Sequence, residues 1–364
     1  MSVLSGNRNQ IYFHEIDSLR FLAFLIVFLG HAWLPITAAF SQLAWFGVEL
    51  FFLISGFLLT RILYEEYKES KSINLKFYFI RRILRIWPLY FSFIILLFFL
   101  SVKIFRISYS FERLLGNIFF VDNIFTVSGW TNTNSGSGHL WTISVEEQYY
   151  FILPFLALWL FRKTKGQKTF FFIAAFLLLL IGKSLAVILK AKYPFVHVLP
   201  LSADSFLMGI LIGTFYKNQT LSHQRNHLLL CLGIILLFIV LLLPSKNITG
   251  FHLLLIYPLQ AIGFAFILIC VLTGRDYPLN KLLRNKALVY LGKISFGLYI
   301  FHFPVIVQLA GLFNTKEVLM QFFGLLLMFL VTLILSLISY YLVEKPFLSF
   351  KKKFQIVPSG EQAF

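Results

Sequence analysis

The sequence predicts an all-α integral membrane protein, a polytopic bundle of about ten transmembrane helices with both termini in the cytoplasm. Three observations support this fold class. Of the 364 residues, 59% are hydrophobic and only 13% are charged, too few charges to cover the surface of a soluble protein of this length. Apolar runs close to the ~20 residues that span a bilayer recur along the chain. The basic residues between these runs are divided unevenly between two sides.

The apolar runs give the order and bounds of the expected spans. They lie at residues 17–39, 45–64, 82–102, 140–161, 170–189, 197–216, 227–243, 251–273, 287–310 and 319–343. With the N-terminus inside, the inner segments carry 24 of the 32 lysine and arginine residues and the outer segments carry 8. Cytoplasmic segments are enriched in basic residues, so both termini are expected in the cytoplasm. The net charge of +17 then reflects membrane orientation and does not indicate nucleic-acid binding.

One transmembrane domain is expected over residues 1–350, with a short basic cytoplasmic tail at 351–364. Cys231 and Cys270 lie in apolar runs and form no metal-binding pattern. The sequence contains no HExxH, Walker or GxGxxG motif, so neither a metal nor a permanently bound cofactor is expected. Cleavage of the first run as a signal peptide is an alternative, but it would remove the two unusual polar residues of that run.

The first run contains Arg20 and His31, which are costly at membrane depth. They are eleven residues apart, about three helical turns, so they share one stripe at a separation of about 16 Å. Arg20 is expected near the cytoplasmic end and His31 past the midplane. Each alone has a structural explanation, as a histidine bonded to a carbonyl or an arginine reaching the head groups. Their common stripe favours a functional pair.

Two polar groups are expected close to this helix. Glu49 lies about one turn inside the second span, where its carboxylate is expected to approach His31 and orient the imidazole. The alternative for Glu49 is a buried pairing with another polar group.

Arg81, Arg82 and Arg85 begin the third span, and three arginines without a lysine favour bidentate binding of phosphate. Topology alone also explains basic residues at this position.

Acids and histidines cluster toward the outer side. His139 and Glu146 are seven residues apart and share a helix face, and Glu147 follows them. Two adjacent carboxylates at the start of a span are typical of acid-base chemistry or of a cation partner. The other members of the outer group are Asp204, Tyr299 and His302. This distribution predicts a cavity that takes a phosphate-bearing ligand from the cytoplasm and a polar acceptor from outside.

Six blocks of the sequence resemble, in order, those of the acyltransferase 3 family of bacterial integral-membrane acyltransferases. The blocks are "RFLAFLIVFLGH", "GVELFFLISGFLL", "RRILRIWP", "GHLWTISVEEQYY", "DSFLMG" and "ISFGLYIFHFP", and they span residues 17 to about 345. The resemblance implies a membrane-bound O-acyltransferase, most often an O-acetyltransferase. Its donor would be cytoplasmic acetyl-CoA or another acyl-CoA, and its acceptor a hydroxyl of an extracytoplasmic carbohydrate such as lipopolysaccharide O-antigen or exopolysaccharide. The implied location is the bacterial inner membrane.

The resemblance also implies roles for the polar residues. His31 is the expected catalytic residue and Arg20 its motif partner, with Glu49 or Glu146 holding the imidazole; Glu49 stands where the family often has aspartate. The expected donor-binding residues are Arg81, Arg82 and Arg85. The clustering toward the outer side, and not the resemblance, gives the expected acceptor-binding residues, His139, Glu147, Asp204, Tyr299 and His302. The hydrolase-like extension that some family members carry is not expected in this chain.

Two other classes of protein remain open on the residues alone. Buried charges also line the substrate routes of transporters, so a transporter or flippase for a glycan or an acyl group is the main alternative. A structural or sensory membrane protein is the other, and it would tolerate the loss of both Arg20 and His31.

Overall fold

The computed structural model describes residues 12–100, 111–128, 136–189, 203–243 and 251–357. These residues form helices and turns, with no β-strand among them. The α-helices are α1 His14–His31, α2 Ala44–Ser70, α3 Leu75–Leu100, α4 Phe111–Ile118, α5 Asp122–Ser128, α6 Trp141–Phe161, α7 Lys165–Ile188, α8 Asp204–Phe215, α9 His223–Leu242, α10 Phe251–Thr273, α11 Pro278–Leu283, α12 Lys286–Lys293, α13 Ser295–Leu309, α14 Val318–Ser339 and α15 Lys345–Lys351.

Seven helical segments of the described chain are long and apolar enough to cross a membrane, as expected for a multi-pass membrane protein. They are Ala44–Ser70, Leu75–Leu100, Lys165–Ile188, His223–Leu242, Leu254–Thr273, Ser295–Phe313 and Val318–Phe354. The expected count of ten is not reproduced, because the other three predicted spans correspond to α1, α6 and α8. α1 carries Glu15, Asp17 and Arg20, α6 carries Glu146 and Glu147, and α8 has only 12 residues.

Helix α1 ends earlier than the predicted span 17–39. Its last residue is His31, Trp33 adopts a left-handed conformation with φ of 51°, and a 3-10 helix begins at Pro35. Proline disfavours a helical conformation of the residue before it, and Leu34 is accordingly extended, with φ −99° and ψ 149°. His31 therefore lies at the end of a helix and not deep inside a longer one.

Three other predicted boundaries change. The ninth span, 287–310, is divided at Ile294 into α12 and α13. The sixth predicted span begins at residue 197, and its described helical part is α8. The predicted tail 351–364 packs back on the helices at its start, since Arg81 donates a hydrogen bond to the Phe354 carbonyl at 2.8 Å and Val357 is buried. Residues 358–364 lie outside the described part.

Helix α2 is at the centre of the bundle. It packs against α1, α6, α8 and α10. In its most apolar stretch of 18 residues, 78% is buried inside the protein, whereas the corresponding fraction for α9 is 17%. An apolar helix with so little of its surface covered by protein is suited to contact with lipid. The residues of α2 therefore face other helices, and α9 lies at the edge.

Two glycines allow α2 and α8 to touch along their backbones. A Cβ added at Gly56 would lie 2.4 Å from the Phe206 carbonyl oxygen, and one added at Gly209 would lie 2.2 Å from the Leu53 carbonyl oxygen. Small residues at helix crossings permit this close approach in membranes, where packing contacts drive helix association. The position of α8 on α2 therefore depends on the absence of side chains at these two residues.

We expect Gly209→Ala to lower the free energy of unfolding by about 1–3 kcal/mol, because the new methyl group overpacks the contact. Maleimide labelling of Cys270, a buried free thiol, reports unfolding in detergent. Gly166→Ala is the control, since nothing lies within 4 Å of a Cβ at that position. Equal thermal stability of the two variants would contradict the importance of this contact.

Candidate functional site

A cavity of about 1320 Å³ lies between α1, α2, α3, α6, α12, α13 and the C-terminal segment around α15. Basic side chains dominate its charged lining, with Asp17 and Glu146 as the acids. The basic residues of the lining are Arg20, Arg82, Arg85, Arg284, Lys286, Lys293, Lys345, Lys351 and Lys352. Such a surface attracts an anion carrying several charges. We call the part formed by Arg82, Arg85, Lys293, Lys345 and Lys351 the basic end.

The side chains of Arg20 and Glu146 both line this cavity. Arg20 interacts electrostatically with Asp17, Arg85 and Glu146, and Glu146 accepts a hydrogen bond of 2.8 Å from the hydroxyl of Ser55. The expected contact of Glu146 with the His31 imidazole is not found. Glu146 instead lines the cavity near Arg20, because it lies seven residues, about two helical turns, after His139.

The opposite end of the cavity is formed by two hydroxyl groups. The Thr142 and Tyr299 hydroxyls are 2.6 Å apart, and both residues line the cavity. The ring of Tyr299 lies 5.3 Å from the rings of both His139 and His302, measured between centroids. The cavity thus begins at a group of positive charges and ends beside histidines.

Three histidines from separate parts of the chain meet beyond these hydroxyls. His302 Nε2 lies 3.2 Å from His31 Nδ1, and the ring of His139 is 5.1 Å from that of His302. His139 and His302 are buried, with 3% and 0% of their surface exposed, whereas His31 is partly exposed. We call this group the histidine cluster. It brings together three of the residues that the sequence assigned separately to catalysis and to the acceptor.

The hydrogen bonds of His302 determine the tautomers of the pair. Its Nδ1 lies 2.5 Å from the Tyr299 carbonyl oxygen, which can only accept, so Nδ1 carries the proton. A neutral His302 therefore accepts at Nε2, and the donor is the Nδ1–H of His31. The ring of His31 also has a hydrogen bond to the backbone of Val27. With Nδ1–H as the donor in both contacts, the Nε2 lone pair of His31 is available as a base.

His139 has the opposite tautomer. Its Nε2 lies 3.1 Å from the Ile300 carbonyl oxygen and must donate. Its Nδ1 is buried and has no hydrogen-bond partner within the described residues. An unmatched buried acceptor is costly, and a hydroxyl of a bound molecule would satisfy it.

Glu49 and Asp204 belong to a different polar group. Asp204 forms an ion pair with Lys183 of α7, and both side chains are buried. Glu49 interacts with Asp204, Lys183 and Ser205, so the prediction that it approaches His31 is wrong. The reason is rotational, because α2 turns this position toward α8, which the glycine contact holds close. Asp204, paired with Lys183, forms no hydrogen bond to the histidine cluster among the described residues.

The predicted cluster of three arginines is divided between two surroundings. Arg82 and Arg85 line the cavity. Arg81 is buried and pairs with Glu66, with 2.5 Å between Nη2 and Oε1, and it also donates to the Phe354 carbonyl. The prediction that Arg81 belongs to one phosphate-binding cluster is therefore not supported by its position, because a buried carboxylate of α2 holds the guanidinium.

Glu147 points toward α3 and accepts a hydrogen bond from the Trp87 indole at 3.5 Å. Sequence reasoning missed Thr142 and the tyrosine hydroxyl of Tyr150, which donates to Ser55 at 3.1 Å. The spacing offered a signal for both, since Thr142, Glu146 and Tyr150 recur every four residues on one face of α6. Among the described residues, no group of three or more histidine, cysteine or carboxylate side chains could hold a metal ion.

Comparison with known proteins shows similarity to acyltransferases. Residues 13–341 match the family model of the acyltransferase 3 domain. The chain is 26% identical over 375 residues to O-acetyltransferase OatA of Staphylococcus aureus strain NCTC 8325, an alignment that covers 92% of this chain and 57% of that protein. A putative O-acetyltransferase of Staphylococcus aureus strain COL is 26% identical over 369 residues, with the same coverage. The chain thus spans 57% of the length of these curated relatives. No solved structure matches it.

We expect Arg81→Ala to destabilise the protein by about 3–5 kcal/mol, because it leaves the carboxylate of Glu66 buried and unpaired. Arg82→Ala, one residue along the same helix, removes a partly exposed side chain and is expected to cost at most about 1 kcal/mol. Thermal unfolding in detergent compares the two variants. A larger loss for Arg82→Ala would show that the Arg81 pair is not the stabilising one.

Proposed function

Because the chain belongs to the acyltransferase 3 family, we propose that it is a membrane-bound O-acyltransferase, specifically an O-acetyltransferase. It transfers the acetyl group of acetyl-CoA to a hydroxyl of a carbohydrate such as lipopolysaccharide O-antigen or exopolysaccharide. The observation that carries the proposal is the cavity that runs from the basic end to the Thr142 and Tyr299 hydroxyls, with the ring of Tyr299 beside the histidine cluster. This arrangement suits a donor with charged phosphates at one end and a reactive thioester at the other.

The basic end binds the phosphates of acyl-CoA. Arg82 and Arg85 project from the first turns of α3, and Lys293 and Lys351 approach from α12 and α15. Guanidinium groups bind phosphate oxygens in pairs of parallel hydrogen bonds, which makes the arginines the main ligands. The uncharged arm of the donor then follows the wall past Arg20 toward Thr142 and Tyr299.

His31 is the general base of the transfer. Its Nε2 takes the proton of the acceptor hydroxyl while the hydroxyl oxygen forms a bond to the thioester carbon. The carbon–sulfur bond breaks, and the departing thiolate receives the proton from His31, so that CoA leaves as a thiol. Helix geometry keeps Arg20 about 16 Å from His31, too far for contact with the same oxyanion. The Tyr299 hydroxyl, which donates to the His139 carbonyl in the structure, is the proposed donor for the carbonyl oxygen once it turns toward the bound thioester.

The distribution of basic residues supports an orientation with the basic end in the cytoplasm, where acyl-CoA is found, and the histidine cluster toward the outer side. We place the protein in the inner membrane of a bacterium on the same reasoning. A transporter for a glycan or an acyl group would also use a polar cavity. Purified protein in nanodiscs separates the two classes, since only an acyltransferase releases free CoA in proportion to added acceptor polysaccharide and leaves an acetyl ester on it.

His31→Ala is expected to lower the transfer rate by about 100- to 10,000-fold, the usual contribution of a general base. His302→Leu removes the acceptor for His31 Nδ1–H and is expected to lower kcat by about 100-fold or more, whereas His302→Gln retains an accepting oxygen and keeps more activity. Thiol release from acetyl-CoA with acceptor polysaccharide measures all three variants. Full activity of His31→Ala would refute this mechanism.

Arg82→Ala and Arg85→Ala are each expected to raise the KM for acetyl-CoA about tenfold, through loss of a charge-assisted hydrogen bond to phosphate. The KM for acetyl-pantetheine, which lacks those phosphates, should not change. Arg162→Ala is the control, because Arg162 is exposed outside the cavity. An equal rise in KM for both donors would place these arginines outside the phosphate site.

A further inference from the structure

We propose that Trp33 is the stacking platform for a sugar ring of the acceptor, beside the histidine cluster. The inference rests on the proposed transfer to a carbohydrate and names the part of the chain that would hold it. Two independent observations, the backbone conformation of Trp33 and the contacts of its ring, lead to this residue.

The backbone of Trp33 is in a conformation that its side chain disfavours. Its φ of 51° lies in the left-handed region, where glycine is the usual residue after a helix and a bulky residue is an outlier. Strained residues of this kind persist where the surrounding structure holds them, and they concentrate at functional sites. The conformation turns the chain sharply away from α1 directly after His31 and Ala32.

The contacts of the indole ring connect it to the histidines through one phenylalanine. Trp33 meets the ring of Phe303 edge-on, at 5.5 Å between centroids. Phe303 in turn lies 5.4 Å from the ring of His31 and 5.1 Å from that of His139. Despite this position, 51% of the surface of Trp33 is exposed. The indole therefore keeps about half of its surface open to another ring.

A sugar ring is the ligand that suits these surroundings. Its C–H groups form an apolar face that packs on an indole, while its hydroxyls point outward and need polar partners. Two such partners lie on the other side of Phe303 from the indole, the ring of His31 and the unmatched Nδ1 of His139. A lipid acyl chain would leave His139 Nδ1 without a donor, so a hydroxyl-bearing ring fits better.

The test uses the full chain in nanodiscs, acetyl-CoA, and envelope polysaccharide extracted from cells that lack the gene as the acceptor. Trp33→Leu keeps an apolar side chain and removes the aromatic face. We expect it to raise the KM for the polysaccharide about three- to tenfold, the range of one aromatic stacking contact, with the KM for acetyl-CoA unchanged. Trp33→Phe should show a smaller rise.

Trp33→Gly separates binding from folding. Glycine adopts positive φ without a steric cost, so this variant should unfold at the same or a higher temperature than the wild type. Its KM for the polysaccharide should be raised as much as that of Trp33→Leu. Trp159→Leu is the matched control. Trp159 is an exposed tryptophan near the C-terminal end of α6 and contacts Phe171. Its kinetics should equal those of the wild type.

Wild-type kinetics of Trp33→Leu, or an equal change in the KM for acetyl-CoA, would overturn the platform and indicate a tryptophan that contacts lipid head groups only. Failure of the wild-type protein to release CoA with the polysaccharide would instead overturn the proposed function, and the platform with it. The two failures are distinguished by whether the wild-type protein itself is active.

Discussion

The hydrogen bond between His31 and His302 is the constraint on which the site depends. It joins the last residue of α1 to the middle of α13, two helices far apart in the sequence. Since the Tyr299 carbonyl fixes the proton of His302, the direction of every proton in this pair is set by the backbone. The early end of α1 matters for the same reason, because it leaves His31 partly exposed while its partner stays buried.

The basic end of the cavity and the histidine cluster beside its other end differ in charge. The basic end carries an excess of positive charge that an anionic ligand would balance. Its lysines come from α12 and α15. The histidine cluster is built from neutral rings and backbone carbonyls. Within the described residues, no carboxylate forms a hydrogen bond to its three rings. Neutral groups cost less to bury than ions, so this end can lie deeper among the apolar helices.

The positions of residues along a single helix could be predicted from the sequence, but the contacts between helices could not. The shared stripe of Arg20 and His31 follows from helical periodicity, and the family blocks follow from local motifs. The predicted partners of Glu49 and Arg81 are wrong, because the observed ones lie on other helices or in the C-terminal segment. Glu49 interacts with Lys183 and Asp204, and Arg81 with Glu66 and the Phe354 carbonyl. The count of ten spans is not confirmed for a related reason, since charged residues make α1 and α6 more polar than ordinary spans.

The absence of a carboxylate from the histidine pair of the described structure also fits the proposed chemistry. A carboxylate behind a catalytic histidine stabilises the imidazolium that forms when the base takes a proton. Here the chain of hydrogen bonds ends at a carbonyl oxygen, which stabilises that cation less. An imidazolium of this kind returns its proton readily, and a thiolate leaving group is at hand to receive it. The neutral partners of His31 therefore favour a base that holds the proton only between two steps of one transfer.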